Sequence, residues 1–293
     1  MAATTFATPS GRATSGNRAR SVTGRALMYA GLLVAAVFLL LPFYWMLTSS
    51  LKSEVDIFTV PVKWLPTSFV WENYVEIWSR SEMATWLGNT ILLSVVVTFL
   101  QVLTGSFAAY GFAKARFPGR NALFLAYVAT IAVPWTSYMI PQYILMSRVG
   151  LADTLWAIIV LQAFGAFGVF LMKQYYETIP EELSEAARID GLSEYGIWRK
   201  IILPLSKPAL ASLALLTFVN TWNDYLGPVI YLRNRDLWTM QIGLQTFISD
   251  PQRVQEWSMI MTGSVISVLP IAIIFMIGQR FFVAGIASTG LKG

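Results

Sequence analysis

The stretch from Met83 to Ala113 reads MATWLGNTILLSVVVTFLQVLTGSFAAYGFA and contains no Asp, Glu, Lys or Arg. The hydrocarbon core of a bilayer is about 30 Å thick, and roughly 20 mainly apolar residues cross it as a helix. The stretch also lacks the strict alternation of apolar and polar residues that is typical of a half-buried strand. It therefore predicts a transmembrane helix.

The composition extends this prediction to the whole chain of 293 residues. Hydrophobic residues make up 56% and charged residues 13%, against about 25% charged in a soluble domain. Five more stretches are long and apolar enough to span a membrane: Ala26–Leu47, Asn121–Ser147, Thr154–Met172, Pro208–Leu232 and Trp257–Gln279. The sequence predicts an all-α membrane protein with six transmembrane helices. Pro134 and Pro141 are expected to kink the third.

The basic residues predict the orientation of these helices. Fourteen of the 21 Lys and Arg residues lie in the N-terminal tail, after the second and fourth stretches, or after the sixth. Cytoplasmic loops carry an excess of Lys and Arg, so both termini are expected in the cytoplasm. The net charge of +5 is thus a topology signal, and no nucleic-acid partner is expected. Residues 1–25 are rich in small and basic residues and predict a disordered cytoplasmic tail.

The chain contains neither cysteine nor histidine. This excludes disulfides, thiolate nucleophiles, ordinary zinc sites and the commonest general base. An intramembrane enzyme would then need a Ser–Lys or paired-Asp site, but the spans contain no Lys and one acid, Asp224. A proton relay would also need more than one such group. We expect no catalytic residue, no metal and no cofactor.

Two short helices are predicted in the loop between the fourth and fifth spans. Thr178, followed three residues later by Glu181, resembles a capping box. Gly191 is expected to end the first helix, and Ser193 to cap the second. Pro204 and Pro208 are expected to end that helix before the fifth span. By propensity alone, an ordinary loop packed on its own bundle is the favoured explanation of this segment.

The residue pattern of this loop is more specific than its propensities. Glu185-Ala186-Ala187, then Gly191, then Ile201-x-Leu203-Pro204 resembles the cytoplasmic motif of the membrane subunits of ABC importers. Other segments are similar to the carbohydrate-uptake branch of that family, and above all to the smaller permease of maltose-like systems: Asn89-Thr90, residues 109–117, Trp222-Asn223-Asp224-Tyr225, residues 238–244, residues 279–285 and Leu291-Lys292-Gly293. One departure is Thr239-Met240-Gln241, where the family often has Thr-Leu-Pro.

The resemblance implies a type I ABC importer transmembrane fold and a permease of an inner membrane. It implies four kinds of partner: a second homologous permease, an ABC ATPase dimer that hydrolyses the ATP, an extracytoplasmic sugar-binding protein, and membrane lipid. It divides the chain into residues 26–83 (first helix and outer loop), 84–282 (transmembrane core) and 283–293 (cytoplasmic tail). The residues it implies in ATPase coupling are Glu185, Ala186, Ala187, Asp190, Gly191, Ile201, Leu203 and Pro204. In the C-terminal tail, Gly285, Lys292 and Gly293 are implied to contact the ATPase subunits.

Asp224 has two interpretations. An ionisable group in a membrane span is a functional hypothesis by default, and with Asn220, Asn223 and Tyr225 it would offer hydrogen-bonding groups to a sugar in a translocation path. Alternatively, it satisfies backbone groups freed by a helix break before Gly227-Pro228. The coupling motif alone is also compatible with a permease for a non-sugar solute, although the other matching segments favour a sugar.

Small residues recur at helical spacing in the second span. Gly105, Ala109 and Ala113 are four residues apart and therefore share one helix face. Such faces let helices approach closely in lipid. Packing inside one bundle is favoured over a dedicated dimer face.

Overall fold

The computed structural model describes residues 15–249 and 256–289, with side chains from 24 to 248 and from 256 to 279. This part of the chain consists of helices and connecting loops. The long and medium helices are α1 (Ser15–Ser50), α3 (Glu72–Arg80), α4 (Met83–Lys114), α5 (Arg120–Ala129), α6 (Met139–Arg148), α7 (Leu155–Gln162), α8 (Ala166–Glu177), α9 (Glu181–Ile189), α12 (Lys207–Trp222), α14 (Met240–Ser249) and α15 (Trp257–Thr289). The short helices are α2 (Glu54–Ile57), α10 (Glu194–Ile197), α11 (Leu203–Leu205) and α13 (Leu226–Tyr231).

Within the described residues, four helical stretches are long and apolar enough to cross a membrane: Gly24–Ser50, Met83–Lys114, Leu155–Glu177 and Trp257–Gln279. A fifth is obtained when Glu194–Leu205 and Lys207–Trp222, which meet at 82°, are taken together. The count of six continuous spans is therefore not confirmed. The helical fold is confirmed, with four or five candidate apolar spans among the described residues.

The third predicted span accounts for the difference in number. In place of one helix over Asn121–Ser147, the chain forms α5, two 3-10 turns at Thr130–Ala132 and Trp135–Ser137, and α6. Pro134 lies between the two turns, and because it has no N–H it cannot continue a helix. Pro141 lies in the first turn of α6, where an N–H has no intrahelical partner to lose. The predicted kink is thus a full break at Pro134.

The predicted fifth span is also interrupted. Helix α12 ends at Trp222 and α13 begins at Leu226. The fourth stretch contains a shorter interruption at Ala163–Gly165, between α7 and α8. Three consecutive predicted spans are therefore discontinuous, and irregular backbone at membrane depth is tolerated where it lines a cavity or is buried in protein.

Helix α4 lies at the centre of the bundle and packs against α8 and α12, while α12 packs against α15. A Cβ on Gly105 would lie 3.5 Å from the carbonyl carbon of Gly168, so the two backbones are in close approach. Ala109 is fully buried in the same cluster as Val169 and Leu213. The small-residue face of the second span therefore serves packing inside the bundle, as predicted.

Contacts near the helix ends show which ends lie on the same side of the bundle. On one side, Glu54 accepts hydrogen bonds from the backbone N–H groups of Trp257 (2.8 Å) and Ser258 (2.9 Å). On the same side, Asp153 Oδ1 accepts from the N–H of Arg233 at 2.7 Å. At the opposite end of α4, Lys114 Nζ donates to the carbonyl of Ile179 at 2.7 Å. Alternate loops thus meet on the same face.

Helix α1 begins at Ser15, so helical structure extends into residues 1–25, where the sequence predicted disorder. Adding residues to an existing helix avoids the cost of nucleation, which explains the extension. Residues 1–14 lie outside the described residues. From Gly24 to Tyr44 the side chains of α1 are exposed, and only the last turn, Thr48–Ser50, is buried.

Candidate coupling loop and membrane cavities

The loop after α8 forms the predicted pair of helices. Helix α9 begins at Glu181, directly after Pro180. The predicted capping box is wrong: Thr178 Oγ1 donates backward to the carbonyl of Tyr175 at 2.8 Å. The reason is that Thr178 still has helical φ and ψ angles, because it is the C-cap of the preceding helix, directly after Glu177. A capping side chain normally requires an extended backbone.

The turn between the two helices matches its prediction. Gly191 has φ +83°, a conformation that a side chain disfavours. Its N–H donates to Arg188 at 3.1 Å and the N–H of Leu192 donates to Ala187 at 3.0 Å, the two bonds of a Schellman ending. Ser193 then caps α10 by accepting from the N–H of Gly196 at 3.2 Å. The tip of the loop is therefore a defined turn.

The second helix continues from α10 through a π-helical turn, Trp198–Ile202, into α11. The chain then bends by 82° into α12. At the bend, Ser206 Oγ donates to the carbonyl of Ile202 at 2.6 Å, and Pro204 and Pro208 each lie in the first turn of a helix. The break predicted between these prolines is confirmed.

The inner side of the loop packs on the bundle. Ala187, Ile197, Trp198 and Ile202 are buried in one cluster that also contains Tyr176 of α8. Ile201 and Leu203 are half-buried against the same cluster. Three of the predicted coupling residues, Ala187, Ile201 and Leu203, therefore contact the chain's own core.

The outer side of the loop is open. Glu185, Ala186, Asp190, Gly191 and Pro204 are exposed. Ile189 is 87% exposed and Leu183 is 43% exposed. A Cβ built on Gly191 would meet no atom within 4 Å. We call the exposed residues 182–191 of α9 and its turn the loop tip. Within the described chain, the loop tip has apolar side chains that nothing covers.

An ionic network, which the sequence did not reveal, fastens the loop to the end of α4. Glu194 accepts hydrogen bonds from Tyr110 and from Arg188, the latter at 2.7 Å. Glu181 pairs with Arg188 at 3.5 Å and with Lys114 at 3.3 Å. The Arg188 guanidinium first, and the Tyr110 hydroxyl second, lower the pKa of the Glu194 carboxyl. Glu194 conversely raises the pKa of Arg188. The network holds both helices against α4.

In the membrane region, Asp224 lies at the gap between α12 and α13. Its Oδ1 accepts from the N–H of Gly227 at 3.1 Å, and its Oδ2 accepts from Nε2 of Gln162 at 2.8 Å. Thr221 Oγ1 donates to Oε1 of the same glutamine at 3.2 Å. Asn223 donates to the carbonyl of Val219 at 2.9 Å. Asp224 thus stabilises the helix break and links it to the break after α7.

Two cavities meet at Gln162 and Asp224. The first, about 270 Å³, we call the aromatic cavity; its walls are Trp135, Tyr138, Gln142, Ile158, Leu161, Gln162, Asp224, Gly227 and Tyr231. The second, about 400 Å³, we call the amide cavity; its walls are Val97, Gln101, Leu161, Gln162, Phe164, Thr217, Asn220, Thr221 and Asp224. Of the predicted path residues, the structure brings Asn220 and Asp224 together. Asn223 and Tyr225 line neither cavity.

Sequence reasoning missed the amide groups Gln101, Gln142 and Gln162 of these cavities. A usable signal existed, because each is a polar amide inside an otherwise apolar stretch. Their proximity to one another depends on the helix breaks and could not be predicted from their spacing in the sequence. Among the described residues, no group of three or more His, Cys, Asp and Glu residues could hold a metal ion.

The predicted tail contacts are outside what the structure describes in detail. Gly285 belongs to α15, in the part of that helix whose side chains are not described. Lys292 and Gly293 lie outside the described residues.

Residues 101–288 match the model of a family described as the binding-protein-dependent transport system inner membrane component. The chain belongs to this family. The permease is 37% identical to the arabinooligosaccharides transport system permease protein AraQ of Halalkalibacterium halodurans, over 78% of this chain and 81% of that one. It is 32% identical to the osmoprotective compounds uptake permease protein GgtD of Synechocystis, over 97% of each chain.

The fold of the permease is also found in a solved structure. A chain of a bacterial ABC transporter involved in the import of the acidic polysaccharide alginate superposes with a TM-score of 0.80 at 26% identity, covering 94% of the permease and 100% of that chain. The permease is thus an ABC transporter membrane subunit, and the resemblance found in its sequence is confirmed.

Proposed function

We propose that the permease is one of two membrane subunits of an ATP-driven, binding-protein-dependent sugar importer. The observation that carries the proposal is the loop tip. Its inner side is fixed to the bundle by buried contacts and by the ionic network, while Ile189 remains 87% exposed on its outer side. Exposed apolar side chains on a rigid support are typical of a docking surface.

In this proposal the loop tip docks on an ATPase subunit, which carries out the hydrolysis. Glu185, Ala186, Asp190 and Gly191 form the contact, and the small size of Ala186 and Gly191 permits close approach of the two chains. Ala187, Ile201, Leu203 and Pro204 hold the tip on the end of the fifth span. The tail residues Gly285, Lys292 and Gly293 add a second contact with the ATPase subunits. The permease itself performs no chemical step.

The chain crosses the inner membrane six times in this proposal, with both termini in the cytoplasm. The third crossing is the broken segment α5–α6, supported by the grouping of loop ends on two sides of the bundle. The excess of basic residues on the side of the loop tip supports its cytoplasmic position. Lipid and the second permease cover the exposed apolar length of α1.

The proposed cargo is a sugar or an oligosaccharide delivered by an extracytoplasmic binding protein. The arabinooligosaccharide relative and the alginate importer support this class. Asn220, Asn223, Asp224 and Tyr225 are proposed to face the path. A second candidate cargo is a non-sugar solute, which the osmoprotective-compound relative favours.

A gene deletion tests this function. In the deletion strain we expect loss of energy-dependent uptake of at least one sugar in a radiolabelled panel of arabino-, xylo-, malto- and galacto-saccharides. The wild-type gene should restore it, and the tagged permease should copurify with a second permease and an ATPase. Unchanged uptake of the whole panel would remove the sugar assignment, and loss of a labelled osmolyte instead would establish the second candidate.

A further inference from the structure

The aromatic cavity is bordered by three chain breaks. Trp135 lies in the 3-10 turn after Pro134, Gln162 ends α7, and Asp224 lies in the gap after α12. Its volume of about 270 Å³ is close to the lower limit of about 300 Å³ for small-molecule sites. The cavity therefore suits a single small ring and not an extended chain.

One wall of the cavity presents hydrogen-bond donors. Gln142 Oε1 accepts from Nε1 of Trp135 at 2.8 Å and from the hydroxyl of Tyr231 at 3.0 Å. A carbonyl oxygen has two lone pairs, so this oxygen is saturated and the orientation of the amide is fixed. The two N–H groups of Gln142 remain, and no described residue accepts from them. The amide nitrogen is thus a donor held in one orientation beside the cavity.

Another part of the cavity wall presents acceptors. The Asp224 carboxylate receives one hydrogen bond from Gly227 and one from Gln162. A carboxylate offers about four lone-pair sites, which leaves further acceptor capacity at the cavity. The orientation of Gln162 is fixed because its oxygen already accepts from Thr221. Asp224 is therefore positioned from two sides.

We propose that the aromatic cavity is a subsite for one glycosyl unit of the cargo, bound between the Gln142 amide and the Asp224 carboxylate. The proposal rests on the sugar-import function above and adds the residues that recognise the cargo. A sugar hydroxyl both donates and accepts, so neighbouring hydroxyls of one ring satisfy the donor wall and the acceptor wall together. The ring of Trp135 and that of the 40% exposed Tyr138 add apolar surface for the C–H face of the sugar.

The hydrogen bond between Gln162 and Asp224 lies where the aromatic cavity meets the amide cavity, because both residues line both cavities. A hydroxyl of a glycosyl unit that donates to Asp224 would lie beside this bond, because the carboxylate retains acceptor capacity. The amide cavity, with Asn220 and Thr217 in its wall, then offers the next polar surface. The subsite is thus continuous with a second polar space.

The test uses the complete importer, with its second permease, ATPase and binding protein, reconstituted in proteoliposomes. Gln142→Leu removes the amide donor at nearly constant size, and Gln174→Leu makes the same change at an exposed position of α8. The readout is the ratio of uptake rates, per assembled complex, of the two sugars of the radiolabelled panel that the wild type imports fastest. A change of selectivity is a readout that a purely structural role would not move.

We expect Gln142→Leu to change this ratio by about fivefold or more and Gln174→Leu to leave it at the wild-type value. Equal loss of both rates, or no loss, in Gln142→Leu would overturn the subsite while leaving sugar import established. If the wild-type importer takes up no sugar of the panel, the proposed function fails and the subsite fails with it.

Discussion

Nε2 of Gln162 donates to Oδ2 of Asp224 at 2.8 Å, and this bond joins the end of α7 to the gap between α12 and α13. The N–H of Gly227 donates to the other carboxylate oxygen. A Cβ on Gly227 would lie 2.5 Å from Oδ2, so glycine is needed for this approach. The only acid predicted inside a span is therefore held by two discontinuous membrane segments at once.

Substitution of Asp224 separates its two roles. Asp224→Asn keeps the size and one acceptor oxygen, whereas Asp224→Leu keeps neither and leaves the Gly227 N–H unpaired, at a cost of about 1–3 kcal/mol. We expect Asp224→Leu to lose more transport than Asp224→Asn. Uptake is measured per assembled complex in reconstituted vesicles.

If Asp224 served only the helix break, the loss of transport by both variants would follow the loss of assembled complex. A role in the path predicts near-normal assembly of Asp224→Asn with a lower maximal rate. Wild-type uptake by both variants would remove Asp224 from the path.

Gly243 provides a stability test with a matched control. A Cβ at Gly243 would lie 2.1 Å from ring atoms of Trp86, which is 3% exposed. Overpacking of this kind costs about 1–3 kcal/mol, so Gly243→Ala should lower the melting temperature of the detergent-solubilised importer. Gly88→Ala adds a methyl group where no atom lies within 4 Å and should leave it unchanged or raise it. Equal melting temperatures for the two variants would contradict the tight packing of Gly243 against Trp86.

The ionic network predicts how firmly the loop between α8 and α12 is held against α4. Glu194→Ala removes the bonds from Tyr110 and Arg188; the partly exposed ion pair with Arg188 contributes about 0–1 kcal/mol. Hydrogen–deuterium exchange of the loop should therefore rise by up to about fivefold at neutral pH. Glu182→Ala is the control, because no ion pair of Glu182 is found among the described residues. The same rise in both variants would contradict the role given to Glu194.

The lowered pKa of Glu194 predicts how the attachment of this loop to α4 depends on pH. Since its pKa is lowered in the folded chain, the stabilisation is fully present above the ordinary Glu value of about 4.3. It is lost as the pH falls through the lowered pKa. Acid should therefore loosen the wild-type loop, and Glu194→Ala should show a weaker response, when exchange is corrected for its intrinsic pH dependence.

The topology can be tested cleanly because the chain has no native cysteine. We expect Ser68→Cys to react with a membrane-impermeant maleimide applied to intact cells or spheroplasts, and Pro118→Cys, in the turn between α4 and α5, to react only after the membrane is permeabilised. Both positions are exposed in the structure. Labelling of Pro118→Cys from outside would reverse the proposed orientation.

Local chemistry made part of the coupling loop predictable. The positive φ of Gly191 and the helix cap of Ser193 involve only their own backbone and that of near neighbours, and both predictions are confirmed. Pro134 similarly marks a break through its missing N–H. Thr178 misled the prediction, because its pattern does not reveal that α8 continues to Glu177.

Relationships across the bundle were not predictable in this way. Gln162 and Asp224 are 62 positions apart, and Tyr110 and Glu194 are 84 apart; each pair meets only after the spans have packed. An apolar stretch also predicts that a segment lies in the membrane better than it predicts that the segment is one continuous helix. Pro134, for example, divides the third predicted span into α5 and α6. Six apolar stretches therefore did not become six continuous helices.

The proposed docking of the loop tip on an ATPase subunit can be tested by site-specific crosslinking. Ala186→Cys is placed at the exposed tip, and Val60→Cys, 94% exposed in the loop after the first span, is the control. Each is treated in permeabilised native membranes with a short maleimide–succinimide crosslinker. We expect a covalent product of Ala186→Cys with the ATPase subunit and none with Val60→Cys. Absence of that product from assembled, transport-competent Ala186→Cys importer, or its equal formation by Val60→Cys, would show that the loop tip does not dock on the ATPase.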